Sequence, residues 1–315
     1  MVLEQVEVGM NIMNAIIGTL ETGLQRYYAR YLDFSMKRNA NFFKKNGMRP
    51  WSKGYSEYHT QELIKILNNE DQLQIFKQSK QLPSKCGFRL DERIIEYPWV
   101  LSRLPKERCR VLDAGSTFNF DYIITNPIIS NKDLNILTLS PESECFWKKK
   151  VSYIYGDLRD NPFKEGYFDI VVCISTLEHI GMNVDMYSGN NQFREYKPNS
   201  FVDALNEFNR ILKPNGNLYI TVPYGKHKNY GFFQLFDADL VQQVIETFKG
   251  SVDEINYYQY LENGWILSEE NKCSTCEYFD IHQTKYFDKQ SAKDYDADYA
   301  AAARAVVCIK FTKEK

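Results

Sequence analysis

Three short stretches carry side chains suited to chemistry. Asp113-Ala-Gly-Ser116 closes an apolar run that begins at Arg110. Gly156-Asp-Leu158 closes a second run. Ser175-Thr-Leu-Glu-His179 follows a third, Phe168–Ile174. A strand ending in an acid and a glycine sets a carboxylate and a bare turn at the carboxyl edge of a sheet, where open α/β folds bind ligands. His179 follows its strand directly, and a histidine with its ordinary pKa near neutrality suits a general base. Glu178 beside it is placed to orient the ring or to take the proton itself.

The glycine pattern narrows the ligand. A dinucleotide site needs several glycines after its first strand so that backbone can approach a pyrophosphate. Here Gly115 stands alone until Gly156, which favours a ligand with no pyrophosphate. Asp113 and Asp157 also have a purely local use, because aspartate is favoured wherever a turn or helix needs a cap.

The elements that must hold these residues alternate. Strands are expected up to Asp113 and at Leu134–Leu139, Ser152–Tyr155, Phe168–Ile174 and Leu218–Val222, with helices at Phe120–Ile129 and Phe201–Leu212 between them. Such alternation implies a doubly wound parallel sheet. In the second helix Phe201, Leu205, Phe208 and Leu212 share a face, Ser200 and Asp203 have capping-box spacing, and Lys213-Pro-Asn-Gly216 is the stop. Asp237 caps a further helix that turns Leu240, Val241, Val244, Ile245 and Phe248 inward, and strands follow near Ile255–Tyr260 and at Ala305–Phe311. Upstream, apolar spacing from Met10 to Phe34 predicts a helix, with others at His59–Asn68 and Asp91–Leu104, the last kinked at Pro98. The aromatic and basic stretch Phe42–Tyr58 reads as a cap helix packing its rings. The expected division is a helical cap over 1–90 and a sheet domain over 91–315. The polar, tyrosine-rich insertion 261–300 is long enough to be functional and reads as a lid over the substrate.

Composition excludes some partners. With 39 basic and 41 acidic side chains the net charge is −2, so no global field draws the chain onto nucleic acid or an anionic membrane. The polar interruptions Asn11, Asn14 and Thr19 argue against a membrane span or signal peptide at the N-terminus. Seven cysteines, an odd number, with Cys173 inside an apolar strand, imply a reducing, cytoplasmic setting. Cys273 and Cys276 have zinc-knuckle spacing, but there is no second pair and His282 alone cannot complete a site, so no metal is expected.

Val-Leu-Asp113-Ala-Gly115, Gly156-Asp157-Leu158, Phe168-Asp-Ile-Val-Val, Leu177-Glu-His-Ile180 and Arg210-Ile-Leu-Lys-Pro-Asn-Gly216 together resemble the class I S-adenosylmethionine-dependent methyltransferases, over about residues 90–250. The resemblance implies a Rossmann-like, seven-stranded sheet of the methyltransferase type, with the helical cap and the lid added, and S-adenosylmethionine as cofactor. It assigns Asp113 to the methionine moiety and Asp157 to the adenine amine, puts Glu142 in the place of the ribose-binding acid, and adds Ala114, Gly115, Ser116, Leu158 and Ser175 as cofactor-binding residues. Two departures stand out. The second and third glycines of the family are Thr117 and Asn119 here, and the second strand ends Leu139-Ser140-Pro141 with its acid delayed to Glu142. The aromatic-proline signature of base-amine methyltransferases is absent, which argues against DNA or RNA acceptors.

Methyl transfer is an in-line displacement, so the enzyme must place the acceptor and exclude water. The expected acceptor is a small molecule methylated on oxygen, with His179 as base and Tyr187, Arg194, Tyr224 and His227 as acceptor contacts. Asp91–Trp99 and Gly231–Asp237 are also similar to methyltransferases of bacterial surface-polysaccharide synthesis. That likeness implies a sugar hydroxyl or an anionic group on a nucleotide-linked precursor. The altered glycine turn keeps a non-catalytic scaffold as the alternative, and the N-terminal cap either covers the site or makes a homodimer.

Overall fold

The computed structural model describes residues 30–31, 33–185 and 193–315. The chain divides into two compact units, Met1–Gln61 and Glu62–Lys315. In the smaller unit, residues 33–45 are helical. Phe43 is buried against Tyr55 and Tyr58 at 5.7 and 5.3 Å. Gly54 takes φ +87°, and a Cβ there would lie 2.1 Å from the Asn39 carbonyl oxygen, so only glycine fits. The helix expected from Met10 to Phe34 falls mostly outside the described residues, and the described part runs on to residue 45.

The larger unit is built on strands β1 (Arg110–Ala114), β2 (Asp133–Thr138), β3 (Ser152–Tyr155), β4 (Phe168–Ile174), β5 (Leu212–Pro223), β6 (Lys228–Asn229), β7 (Gln234–Leu235), β8 (Ser251–Leu261), β9 (Gly264–Ser268) and β10 (Ala305–Thr312). Eight of them form one sheet in the order β3-β2-β1-β4-β5-β10-β8-β9. β1 to β5 are parallel, and β10 runs antiparallel between β5 and β8. The chain leaves β1 toward β2 and β3 and then returns to β4 on the other side. This reversal opens a crevice at the carboxyl ends of β1 and β4, as in Rossmann-like sheets generally. Among the described residues no helix is long and apolar enough to cross a membrane.

Burial explains the elements. β4 is an apolar run because both faces of a parallel strand are covered, and Phe168, Ile170, Val171, Val172, Cys173 and Ile174 are all buried. The helix Phe201–Ile211 buries Phe201, Ala204, Leu205, Phe208 and Ile211 at helical spacing. Asp237 caps the helix Ala238–Phe248 by accepting from the Leu240 amide at 3.1 Å. The helix Arg93–Arg103 is buried from Ile94 through Ser102, Pro98 included. Its Trp99 donates to Asn256 Oδ1 at 2.7 Å, and its Arg103 forks onto Glu254 at 2.7 and 2.8 Å while lying over the Trp99 ring.

Several expectations are corrected. The sheet has eight strands, not seven, because Gly264–Ser268 inside the expected lid pairs with β8. The helix expected at Phe120–Ile129 is two short ones, Asp121–Ile124 and Pro127–Ser130. Pro127 has no donor to continue the first, and Asn126 caps the second through the Ile128 amide. Ser200 makes no side-chain cap, since it ends a 3₁₀ turn, Pro198–Ser200, and already has helical dihedrals. Residues 62–90 fold with the sheet unit and not with a separate cap: Arg103 Nη2 donates to the Phe76 carbonyl at 2.9 Å, and the Trp265 amide to that of Cys86 at 2.8 Å.

Candidate active site

The turn after β1 is organised from beneath. Asp113 is fully buried, and its Oδ1 accepts from the Thr117 amide and hydroxyl at 3.2 and 2.9 Å while Oδ2 accepts from the Phe118 amide at 2.7 Å. Burial pushes this carboxyl up to about 6 against those hydrogen bonds. Asp113 braces the turn from below, and neither it nor Ala114 is among the residues that line the cleft above. Gly115 (φ +114°) sits so close to the turn after β4 that a Cβ would lie 2.2 Å from Thr176 Oγ1. Only glycine allows that approach. The two departures from the family's glycines have structural uses: Thr117 supplies two of the three hydrogen bonds on Asp113, and Asn119 accepts from the Tyr153 hydroxyl and donates to the Glu144 carbonyl.

Above this turn lies a cleft of about 600 Å³. It brings together seven of the expected residues: Gly115, Ser116, Glu142, Asp157, Leu158, Ser175 and His179. Asp157 is gripped by Arg159 through Nε and Nη2, at 2.9 and 2.6 Å, and Arg159 also reaches Glu195 at 2.6 and 2.8 Å. Burial alone would raise the Asp157 carboxyl, but Arg159 holds it below its ordinary value. At the other end, Ser175 donates to the buried Glu96 at 2.6 Å, and Thr221 donates to the same oxygen at 2.7 Å.

The 3₁₀ turn Leu177–His179 sends neighbouring side chains in different directions, as three residues per turn requires. His179 faces the cleft with 21% of its side chain exposed. Its Nδ1–H donates to the Phe232 carbonyl at 2.8 Å, which leaves the lone pair on Nε2. Burial lowers its pKa to about 4, so the ring is neutral at physiological pH. Glu178 turns inward. It is 1% exposed, its Oε2 has no hydrogen-bond partner among the described residues, and burial pushes its carboxyl well above the ordinary range. Its Oε1 lies 3.9 Å from His179 Nε2. Interior, beside the His179 ring and not among the residues that line the cleft, Glu178 is placed to orient that ring more than to meet an acceptor proton.

The other acceptor contacts are not brought together. Tyr224, directly after β5, is buried against Tyr257, ring centroids 4.9 Å apart, and does not line the cleft. His227 donates from Nδ1 to the Leu235 carbonyl at 2.9 Å and does not line the cleft. Arg194 pairs with Asp185 on the surface, while its neighbours Phe193 and Glu195 line the wall. Tyr187 lies outside the described residues. Nor does any residue of 261–300 line the cleft; this segment approaches through Tyr278 and His282, whose rings meet Phe233 and Phe232 behind His179. Among the described residues no group of three or more His, Cys, Asp or Glu side chains is placed to hold a metal. Sequence reasoning missed Arg93, Arg159, Thr176 and Glu195 as lining residues. For Arg159 the proximity to Asp157 was a usable signal; Glu195, 36 positions from Arg159, offered none.

Residues 133–220 match the family model of a methyltransferase domain. The cofactor of this domain is S-adenosylmethionine. The matched segment runs from β2 through most of β5 and includes Glu142, Asp157, Ser175 and His179. An uncharacterized protein of Methanocaldococcus jannaschii is 32% identical over 115 residues, covering 36% of this chain; the chain spans 40% of that relative's length. Among solved structures, the 1,6-didemethyltoxoflavin-N1-methyltransferase of Burkholderia thailandensis, with 1,6-didemethyltoxoflavin and S-adenosylhomocysteine bound, aligns at 12% identity over 66% of this chain and 72% of its own, TM-score 0.40. The PH0226 protein of Pyrococcus horikoshii aligns at 12% identity over 71% of this chain and 90% of its own, also with TM-score 0.40.

The cleft fits that cofactor. Its volume falls within the roughly 300–1,000 Å³ of small-molecule sites. The Gly115 turn and the acids Glu142 and Asp157 face the same space, with Leu137, Leu158 and Met182 as apolar wall.

Proposed function

We propose that this protein transfers the methyl group of S-adenosylmethionine to an oxygen of a small-molecule acceptor, a sugar hydroxyl or an anionic group on a nucleotide-linked surface-glycan precursor. The observation that carries the reading is His179: a neutral imidazole, its Nδ1 proton fixed by the Phe232 carbonyl, in the wall that also contains the Gly115 turn and Asp157. The sulfonium of the bound cofactor supplies an electrophilic methyl group. The turn Gly115–Thr117 and Ser175 receive the methionine end, Glu142 the ribose hydroxyls, and Asp157 and Leu158 the adenine. Nε2 of His179 takes the proton of the acceptor hydroxyl as its oxygen becomes nucleophilic. The two segments similar to glycan-pathway methyltransferases both touch this region, one through Arg93 and the other through Phe232.

The scaffold alternative rested on the missing glycines. Thr117 and Asn119 are hydrogen-bonded parts of the turn, which favours a working site over a decayed one. Calorimetry with S-adenosylmethionine and a methyl-transfer screen of nucleotide sugars test the reading together. Binding followed by mass gain of one methyl group supports it, and a cleft that takes no cofactor returns the chain to a scaffold.

The pH dependence follows from the ring. The folded pKa of His179, about 4, lies below its ordinary 6.5. The ring's contribution to stability is therefore complete above pH 6.5 and is lost as pH falls toward 4, where the unfolded chain binds the proton more readily. Thermal melts over pH 4–7 should show this slope in the wild type and a shallower one in His179→Ala. Turnover should keep its full value down to about pH 5; an acid limb centred near 6.5 would show that the ring is not held neutral.

A further inference from the structure

We propose that the helix ending at residue 45 is a docking face for the anionic surface of a lipid bilayer, which it meets with interleaved aromatic rings and basic side chains. Residues 30–31 and 33–45 are helical. At 3.6 residues per turn, Met36, Ala40 and Phe43 share one side, where Ala40 and Phe43 are buried. Tyr31, Phe34, Arg38, Phe42 and Lys45 fall within an arc of about 100° on the opposite side. The three rings of that arc are 58%, 64% and 45% exposed, and Arg38 and Lys45 are exposed among them. The stripe is about 21 Å long at 1.5 Å per residue. Single exposed rings are ordinary on a protein surface, but a row of them marks a place of contact. The helix Phe201–Ile211 shows the ordinary pattern, with Asp203 and Asn206 outward and both of its rings buried.

Charge decides what the row meets. Between residues 30 and 61 seven Lys and Arg stand against two Asp and Glu, in a chain whose net charge is −2. The overall balance therefore conceals a basic field confined to the smaller unit. Both acids are engaged: Asp33 pairs with Lys37 at 2.7 Å, and Glu57 accepts from Asn39 Nδ2 at 2.8 Å. Lys53 adds a cation from outside the helix, its Nζ 5.3 Å from the centre of the Phe42 ring.

The complement of such a face is a plane of negative charge over an apolar interior. Aromatic rings enter the headgroup boundary while Lys and Arg meet the lipid phosphates. A nucleic-acid strand is held differently, in a positively charged groove whose rings stack on successive bases. Here a convex helix carries its rings on the outside. The contact is one of lying on the bilayer, since among the described residues no helix is long and apolar enough to cross a membrane.

Co-sedimentation of the full chain with vesicles tests this. Vesicles of equal parts phosphatidylglycerol and phosphatidylcholine should pull the protein down at low salt and release it at high salt, while vesicles of phosphatidylcholine alone should leave it in solution. Arg38→Gln with Lys45→Gln should weaken binding by about 25-fold, roughly fivefold for each charge near an anionic surface. Phe34→Ser with Phe42→Ser should weaken it by about 10-fold or more, because less apolar area enters the boundary. These side chains are exposed, so thermal melts of both pairs should match the wild type. A control pair, Lys106→Gln with Lys226→Gln, removes two exposed lysines elsewhere and should bind as the wild type does. A wild type that stays in solution with the anionic vesicles, a stripe variant that keeps its binding, or a control pair that loses as much overturns the assignment. So does a single-stranded oligonucleotide or a second copy of the chain that takes this face in place of vesicles, read on the same variants by fluorescence anisotropy and light scattering. Docking here is independent of methyl transfer, and either can fail alone.

Discussion

A His179→Ala variant loses about 10²- to 10⁴-fold in kcat, the usual contribution of a positioned general base, and keeps the wild-type affinity for S-adenosylmethionine. The split is expected because the proposed function has the ring act on the acceptor proton and gives the nucleoside to residues after β1, β2 and β3. Stability is little changed at neutral pH: the lost hydrogen bond to the Phe232 carbonyl is worth about 1 kcal/mol. His179→Asn is the informative partner, since its amide can still donate to that carbonyl and yet has no basic nitrogen. Single-turnover measurements with a product-binding control settle the matter. Unchanged turnover in both variants removes His179 from the reaction, whereas a parallel loss of cofactor affinity would make it a shaping residue only.

The second large effect is on folding. Asp113→Ala should destabilise the protein by about 3–5 kcal/mol, because two buried amides and one hydroxyl lose a charged acceptor at once. Cofactor affinity should fall with it, although the side chain does not line the cleft, since the turn that carries Gly115 and Ser116 loses its internal brace. Asp113→Asn should cost less, as one oxygen still accepts while the amide nitrogen faces a donor. Urea melts read the first effect and calorimetry the second. A variant that keeps its stability and loses only binding would show that Asp113 meets the ligand directly.

Such pairs of outcomes mark where sequence reading stops. An aspartate at the end of β1 looks the same whether it grips a ligand or a turn, because both uses need an acceptor at a sharp bend. β3 and β4 were legible to the residue; β4 is buried on both faces, which leaves an uninterrupted apolar run, whereas β3 is an exposed to half-buried edge strand marked by its aromatic and β-branched residues Tyr153, Ile154 and Tyr155. The helix Phe201–Ile211 was legible from its spacing, but its start was not, because a 3₁₀ turn took the place of the hydroxyl cap. β9 was hidden: Gly264-Trp-Ile-Leu-Ser268 is short and flanked by charge, and its pairing partner, not its own pattern, makes it a strand. Arg93 was hidden for another reason. Its helix is buried on nearly every side, so no polar face announced that one of its side chains opens onto the cleft.

The reversed direction of β10 governs how the protein can change. Ala305 enters the sheet beside Gln259 and the end of β5, so the polypeptide from 269 to 304 is obliged to travel back along the rim that carries His179. The loops after β1, β2 and β3, which the proposed function gives to the nucleoside, line the cleft from the other side of the sheet order. Changes in 269–304 should therefore reach His179 only indirectly, through the rings of Tyr278 and His282 on Phe233 and Phe232, and leave the cleft walls after β1, β2 and β3 as they are.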